Sequence, residues 1–409
     1  MTTLWSRFIK LSIISLLVCP LLTGCWDRLE IEDRAVVLGI SIDQTKSNRD
    51  EDDAVTHMRG AIPAPKQGYY HVAVQIALPG RIPLGPGEGG GGAANSSATV
   101  WVLDTFGHTL DDAFMRLQQQ TSARLFFGHL RVIIISEAVA RKGMDNINDF
   151  FRRNSEVRRM AWMMVAKGNA MRMMKAAPKL ERIPTLYLIT TLDQGIKMGK
   201  FPKDYIGTFW SNSTKKGQEG YLPYVELQKE QNIEIKGLAY FKGAHMVGKT
   251  KPIEIGAFLA VKGVNPAGYR VYVTLDGSSK MIMTTTTNRS VSWTASMKQG
   301  HPHFDIRIML EVNVEEKMDQ DLDINSEEVL RQIEAEQAEG ATKACKTLIA
   351  QTQEAGSDIF GFGEYIRAKK RQYWNTNVQT KEKWQEQYQD VTFDVETRVN
   401  VRRVGMKAK

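Results

Sequence analysis

"LRVIIIS", residues 130–136, sets the class of fold. Three consecutive isoleucines follow Val132, so no polar residue alternates with them, and a short run of this kind fits a strand buried on both faces. Helices must then cover both faces, and the neighbouring sequence supplies them. A short helix is expected from Ser136 and another around Ile147, Phe150 and Phe151. "MAWMMVAKG" (160–168) returns as a strand, and Asn169 opens a further helix carrying Met171 and Met174. Upstream, "AVVLGISID" (35–43), "YYHVAVQIAL" (69–78) and "VWVLDTF" (100–106) read as strands. Thr109 is placed to cap a helix whose apolar face is Leu110, Phe114 and Leu117. Strands alternating with helices over about the first 180 residues indicate a sheet with helices packed on it.

The pattern changes after Pro178. "PTLYLITTLDQGIKMG" (184–199) reads as a helix and "FWSNSTKKGQEGYLP" (209–223) as a loop. Residues 232–263 read as short strands with turns, with a hairpin turning at Gly243 to His245. In the last third, "YRVYVTLD", "MIMTTTTNRSVSWTAS" and "FDIRIMLEVNV" are strands. A long helix is expected from about Ser326 to Ala355, opened by Asn325 and Glu328 and stopped at Gly356. Two helical stretches, 359–372 and 381–389, precede "VTFDVETRVNV", whose alternation predicts an antiparallel sheet with one polar side. The expected class is α+β (mixed α/β) and multi-domain, with mainly antiparallel or mixed sheets and packed helices. Its expected parts are a signal peptide (1–24), an N-terminal α/β domain (25–182), a small middle domain (183–262) and a C-terminal α+β domain (263–409).

The first 25 residues have a separate logic. Arg7 and Lys10 form a positive start, and "LSIISLLVCPLL" (11–22) is apolar but too short for a bilayer span, which needs about 20 residues. Leu22, Thr23, Gly24 and Cys25 follow, and then the chain turns polar at "WDRLEIEDR". An apolar residue, two small ones and a cysteine resemble the bacterial lipoprotein box. In that class the cysteine thiol takes a diacylglycerol and cleavage occurs just before it. The expected mature chain begins at Cys25, lipid-anchored outside the cytoplasmic membrane, and an N-acyl chain on Cys25 is compatible with the same class. Two long chains hold a bilayer far more firmly than one.

Composition bounds the rest. Removing 24 of 409 residues leaves 385, enough for two or three domains. The formal net charge is +8, and loss of Arg7 and Lys10 lowers it by two to +6. That mild excess suits an anionic lipid surface. There is no dense basic cluster of the kind that binds nucleic acid, and "KKRQYW" (369–374) reads as a solvated helix end. Of three cysteines, Cys19 leaves with the signal and Cys25 carries lipid, so Cys345 has no disulfide partner and reads as a small core filler.

Several motifs mimic chemistry. "GAHMVGKT" (243–250) matches the phosphate-loop pattern G-x-x-x-x-G-K-S/T, with Lys249 as the phosphate lysine and Asp276 as a conceivable Mg²⁺ residue. A true phosphate loop opens a helix, whereas Lys251 and Pro252 lead here into an apolar run with a glycine inside. Lys249 is therefore expected to be a solvated turn residue. "DQDLDIN" (319–325) resembles an EF-hand start but has Ile324 where glycine is required and Leu330 where glutamate is. "HPH" (301–303) lacks a nearby third ligand and reads as a loop. No G-x-S-x-G, H-E-x-x-H or nucleophilic Cys/His pair is present. The expectation is no catalytic residue, no cofactor and no metal site.

Four blocks, in order behind the lipoprotein box, resemble the Ger(x)C family, the lipoprotein C subunit of the nutrient germinant receptors of endospore-forming bacteria. They are "CWDRLEIEDRAVVLGISID" (25–43), residues 128–170 from "GHLRVIIIS" to "MAWMMVAKGNA", "GLAYFKGAHMVGK" (237–249) and residues 358–405 beginning "DIFGFGEYIRAKK". The glycine-rich stretch at 85–92 maps to no family feature. The resemblance implies a non-enzymatic, three-domain mixed α/β subunit on the outer face of the spore inner membrane. Its implied partners are a multi-spanning A subunit and a transporter-like B subunit. The alternative class is an extracellular solute-binding lipoprotein, which needs two similar lobes around a cleft. The antiparallel character of the last 140 residues does not suit it.

Overall fold

The computed structural model describes residues 33–45, 69–78, 99–176, 183–229, 232–275, 280–319 and 322–403, together with residues 5, 12 and 13. Cys25, the stretch 85–92 and Asp276 lie outside them. The first sheet contains nine strands among the described residues. These are β1 (Arg34–Gln44), β2 (Tyr70–Ala77), β3 (Val100–Gly107), β4 (Arg124–Phe126), β5 (Val132–Ser136), β6 (Trp162–Ala166), β7 (Tyr221–Gln228), β8 (Asn232–Lys242) and β9 (His245–Lys249). Their order is β3-β2-β1-β5-β6-β7-β8-β9, with β4 pairing to the start of β1. β1, β5, β6 and β7 run parallel, while β2, β3, β8 and β9 extend the sheet antiparallel on either side.

Every residue of β5 and β6 is buried, as the triple isoleucine requires. Alternate residues serve different cores, because successive strand side chains point to opposite faces. Ile133, Ile135, Met163 and Val165 face a core closed by four helices: α1 (Leu110–Gln119), α2 (Glu137–Lys142), α3 (Asp145–Arg153) and α6 (Ile206–Thr214). Val132, Ile134, Trp162 and Met164 face the other core, together with α4 (Met171–Lys175) and α5 (Pro184–Lys197). Thr109 caps α1 by accepting from Asp112 N, as its position before the apolar face predicts.

The second sheet has four strands among the described residues, β10 (Arg270–Thr274), β11 (Met281–Lys298), β12 (His301–Lys317) and β13 (Thr392–Arg403), in that order. β11 and β12 are joined by the two-residue turn Gln299–Gly300, both at positive φ, the hairpin geometry that matches strand twist. β13 runs parallel to β12, so the antiparallel reading of this last strand is corrected and the sheet is a mixed one, within the expected class. The physical reason lies in the connection. The long helix α8 (Glu327–Glu354) and the helices after it carry the chain back to the starting edge, as a parallel pairing demands. α8 starts at N-cap Ser326, whose side chain makes no cap, rather than from an Asn325/Glu328 box.

Two other expectations are corrected. The loop expected at 209–223 contains most of α6, because Ile206, Phe209 and Trp210 bury one face and override the polar Ser-Asn-Ser-Thr signal. The strand expected within 252–262 is helix α7 (Pro252–Lys262). Lys251 N donates to Glu254 Oε2 at 2.7 Å across its first turn, and Pro252 occupies a position where its missing N–H costs nothing. α7 packs on β8 of the first sheet, on β11 and β12 of the second and on α8. A helix covered on so many sides is apolar all round and carries no periodic stripe. Segment 183–262 thus adds three strands to the first sheet and one helix between the sheets.

Residues 357–390 join the two sheets. They comprise α9 (Phe362–Lys369), a short turn of helix α10 (Arg371–Tyr373), a π-helical turn at Trp374–Val378, α11 (Lys381–Gln387) and a 3-10 turn at Tyr388–Asp390. Asp358, 1% exposed, accepts from Gly361 N (2.7 Å), Gly363 N (2.8 Å) and Trp384 Nε1 (3.0 Å). Its backbone carbonyl accepts from Glu219 N at 2.8 Å, just before β7. Ser357 Oγ donates to Phe241 O on β8, and Lys262 Nζ donates to Phe360 O. Glu219 in turn pairs with Lys381 at 2.8 Å and accepts from Gly243 N. Gly363 cannot be larger, since a Cβ there would lie 2.4 Å from the Trp384 ring.

The aromatic residues of this block are core residues. Phe360, Phe362, Trp384 and Tyr388 are each at most 1% exposed, and Trp374 is 4% exposed. Trp384→Ala should therefore cost about 3–5 kcal/mol, read as a lower urea midpoint of the purified chain. Trp384→Phe should recover part of that loss by refilling volume while leaving Asp358 without its indole donor. A midpoint unchanged by the alanine substitution would mean that the block does not hold the core together.

Candidate functional site

The phosphate-loop mimic resolves into a hairpin. β8 and β9 pair antiparallel through a turn at Gly243–Ala244, with Gly243 at φ +60°. A helix does follow Thr250, contrary to expectation, but Gly248 and Lys249 belong to strand β9 and do not wrap a phosphate. Glu254 already receives the N–H of Lys251 at the start of α7. Lys249 is exposed, as expected, but it ends strand β9 rather than sitting in the turn, and it has partners. Its Nζ donates to Tyr224 Oη at 2.8 Å, lies 4.2 Å from the Tyr224 ring centroid and stands 3.7 Å from Glu137 Oε2. Tyr224 Oη donates to Glu137 Oε2 at 2.5 Å. Burial pushes the Tyr224 hydroxyl well above its ordinary range, and the bond to Glu137 adds to this. For Glu137, burial is the largest influence and acts upward, but the bonds from Tyr224 and Arg141 outweigh it and leave the carboxyl below its usual value.

The histidines of "HPH" lie on strand β12, not in a loop. The pairing of β12 with β13 places His303 opposite Thr392 and Asp305 opposite Asp394. His303, Asp305 and Asp394 bring one ligand atom each within 4.8 Å of one another, a set that could hold a metal ion. The lysine ammonium of Lys298 already sits there, 2.7 Å from His303 Nε2 and 3.4 Å from Asp394 Oδ2. The hydrogen bond and charge of Lys298 hold the Asp394 carboxyl below the usual range. Asp305 lies two residues from His303 in sequence, whereas Asp394 is far along the chain and only strand pairing delivers it.

Cys345 is 1% exposed, with Sγ 3.8 Å from Ala257 O, and burial pushes its thiol up to about 12. It fills space between α8 and α7 and is no nucleophile. Asp43, at the end of β1, accepts from Ala170 N (2.7 Å) and Met171 N (2.9 Å) and so caps α4, a role for which the sequence gives no local sign. Lys249, Cys345 and His303 thus lie in three separate settings, not in one constellation.

This fold, two mixed sheets sharing a core and joined through a C-terminal block, has known counterparts. Residues 27–227 match the family described as spore germination protein N-terminal domain, and residues 236–405 match spore germination B3/GerAC like, C-terminal. The chain is 22% identical to spore germination protein KC of Bacillus subtilis (strain 168) over 421 aligned positions, covering 97% of this chain and 96% of the relative. It is 23% identical to spore germination protein GerQC of Bacillus cereus, covering 82% and 90% respectively. Putative spore germination protein YfkR of Bacillus subtilis (strain 168) is 32% identical over 237 residues, which span 55% of that relative. The crystal structure of the GerBC protein has the same fold, with a TM-score of 0.55 and 20% identity over 83% of this chain and 96% of that one. The chain belongs to the Ger(x)C family of spore germination proteins, the C-subunit family of germinant receptors.

Lys249→Ala removes an ammonium whose side chain is 40% exposed, while the Tyr224–Glu137 bond remains. The expected loss of stability is about 0.2–1 kcal/mol. Neither the variant nor the parent should bind ATP or GTP in a calorimetric titration at millimolar nucleotide. Saturable nucleotide binding abolished by this substitution would restore the phosphate-loop reading.

Proposed function

We propose that the chain is a lipid-anchored, non-catalytic subunit of a nutrient germinant receptor, required for nutrient-triggered release of spore dormancy. The observation that carries this reading is positional. The family match begins at residue 27, two residues after the cysteine of the Leu22-Thr23-Gly24-Cys25 box. In this reading residues 1–24 are the signal peptide, and Cys25 carries a thioether-linked diacylglycerol. The folded body lies on the outer face of the spore inner membrane beside the A and B membrane subunits. No helix among the described residues is long and apolar enough to cross a membrane, so in this proposal the lipid supplies the attachment. The separate settings of Lys249, Cys345 and His303 support a role in assembly over one in catalysis. The shared core of the two sheets disfavours the solute-binding alternative, which requires lobes free to close.

In spores that carry this chain as their only C subunit of the receptor, Cys25→Ala should abolish incorporation of a labelled fatty acid. It should also reduce nutrient-triggered germination at least tenfold. Normal labelling and normal germination in the variant would contradict the anchoring proposal.

A further inference from the structure

A cavity of about 520 Å³ lies between α7, α8 and the edge strand β10. Its volume falls in the range of small-molecule sites, and its walls are mainly apolar. Small residues make the space: Gly256, Ala257 and Ala260 on α7, and Gly340, Ala341 and Ala344 on α8. A Cβ built on Gly340 would meet nothing within 4 Å, so the concavity is open at that point of the helix.

The polar part of the wall carries the inference. Strand β11 turns even-numbered residues inward at Ile282, Thr284 and Thr286, all buried. The register then shifts between Thr286 and Asn288, and from there the odd-numbered residues turn inward, beginning with Arg289. Such a bulge re-aims a side chain without breaking the sheet. Arg289 is 3% exposed and lines the cavity. Its Nη1 donates to Val264 O at 2.8 Å and its Nη2 to Gly199 O at 3.2 Å, both neutral carbonyls. It forms no ion pair with any described residue, and Glu336, the carboxylate of the wall, is exposed. A buried cation without a counter-anion is costly, and buried charges are ordinarily paired. That cost is visible in the guanidinium itself, which burial lowers to about 10. Gln337, also buried in the wall, uses Oε1 to accept from Thr284 Oγ1 at 3.0 Å, and its Nε2 makes no hydrogen bond to a described residue. Two donors, one of them a cation, thus line an apolar cavity whose one carboxylate among the described lining residues, Glu336, is exposed and pairs with neither.

We propose that this cavity binds a small carboxylate with an apolar body, its carboxylate received by Arg289 and the Gln337 amide and its body lying against the glycine and alanine faces of α7 and α8. The shared chemistry is that of a lipid-derived acyl carboxylate and of a soluble aromatic carboxylate. The inference rests on β11, α7 and α8 and is independent of anchoring at Cys25.

The test is calorimetric titration of the full chain in nanodiscs at pH 7.5. The probes are octanoate for the acyl source, 4-phenylbutyrate for the aromatic source and 4-phenylbutanol as the uncharged control, with empty nanodiscs subtracted. At least one carboxylate should bind saturably, and 4-phenylbutanol should bind at least tenfold more weakly than 4-phenylbutyrate or not at all. Gly340→Leu and Gly340→Phe, which fill open space, should leave the melting temperature within a few degrees and weaken binding in that order. Arg289→Lys should weaken it at least fivefold. No saturable binding of either carboxylate, an alcohol bound as tightly as its acid, or unchanged binding in a folded Gly340→Phe variant would overturn the proposal.

Discussion

Asp358 sets the constraint on which the two sheets depend. Its carboxylate takes three N–H donors, from Gly361, Gly363 and Trp384, with Phe360 and Phe362 buried around it and the charge of Lys262 acting on it from α7. Burial pushes its pKa up to about 6, against the opposing pull of its N–H donors. A buried carboxyl in that setting is satisfied only while all three donors stay in place, so the positions of α9 and α11 are fixed together. Those helices are bonded in turn to residues 217–219 and to β8 of the first sheet, through Glu364, Ser357 and Lys381. The boundary between the two family matches falls within the β7–β8 hairpin, whose strands pair along their length. Two sequence families therefore occupy one folded body.

Much of this was legible in residues 130–168. A triple isoleucine and "MAWMMVAKG" demand strands covered twice, and both cores follow from their alternation. The strands β11 and β12 and the end of α8 at Gly356 were also legible, since alternation and glycine act locally. What failed has a common cause. α7 is surrounded by both sheets and α8, so it shows no amphipathic period, and its glycine and branched residues look like a strand. The polar run in α6 looks like a loop because Phe209 is buried against Phe241 of β8 and Trp210 against Asn148 and Arg152 of α3, not by neighbours in sequence. The direction of β13 depends on where a long crossover returns, which no local pattern encodes.

The same distinction governs the candidate sites. Cys345 was readable as core because its helix face is apolar. The contacts of Lys249 were not readable, because Tyr224 reaches it from β7 and Glu137 from the start of α2. Asp394 joins His303 only through parallel pairing, and Arg289 turns inward only because of a bulge that the threonine-rich run around it conceals. Sites assembled across strands escape sequence reading even where each strand is recognised. Cys25, on which the proposed attachment rests, is read from the local signal of a short apolar run and small residues.

The central claim is that both sheets form one cooperative body, unlike the two lobes of a solute-binding lipoprotein. Native-state hydrogen exchange of the full chain tests it most directly. The amides of β5 and β6 and those of β12 and β13 should share one global opening free energy and move together under added denaturant. Separate opening of the second sheet, at a clearly lower free energy than the first, would contradict the account.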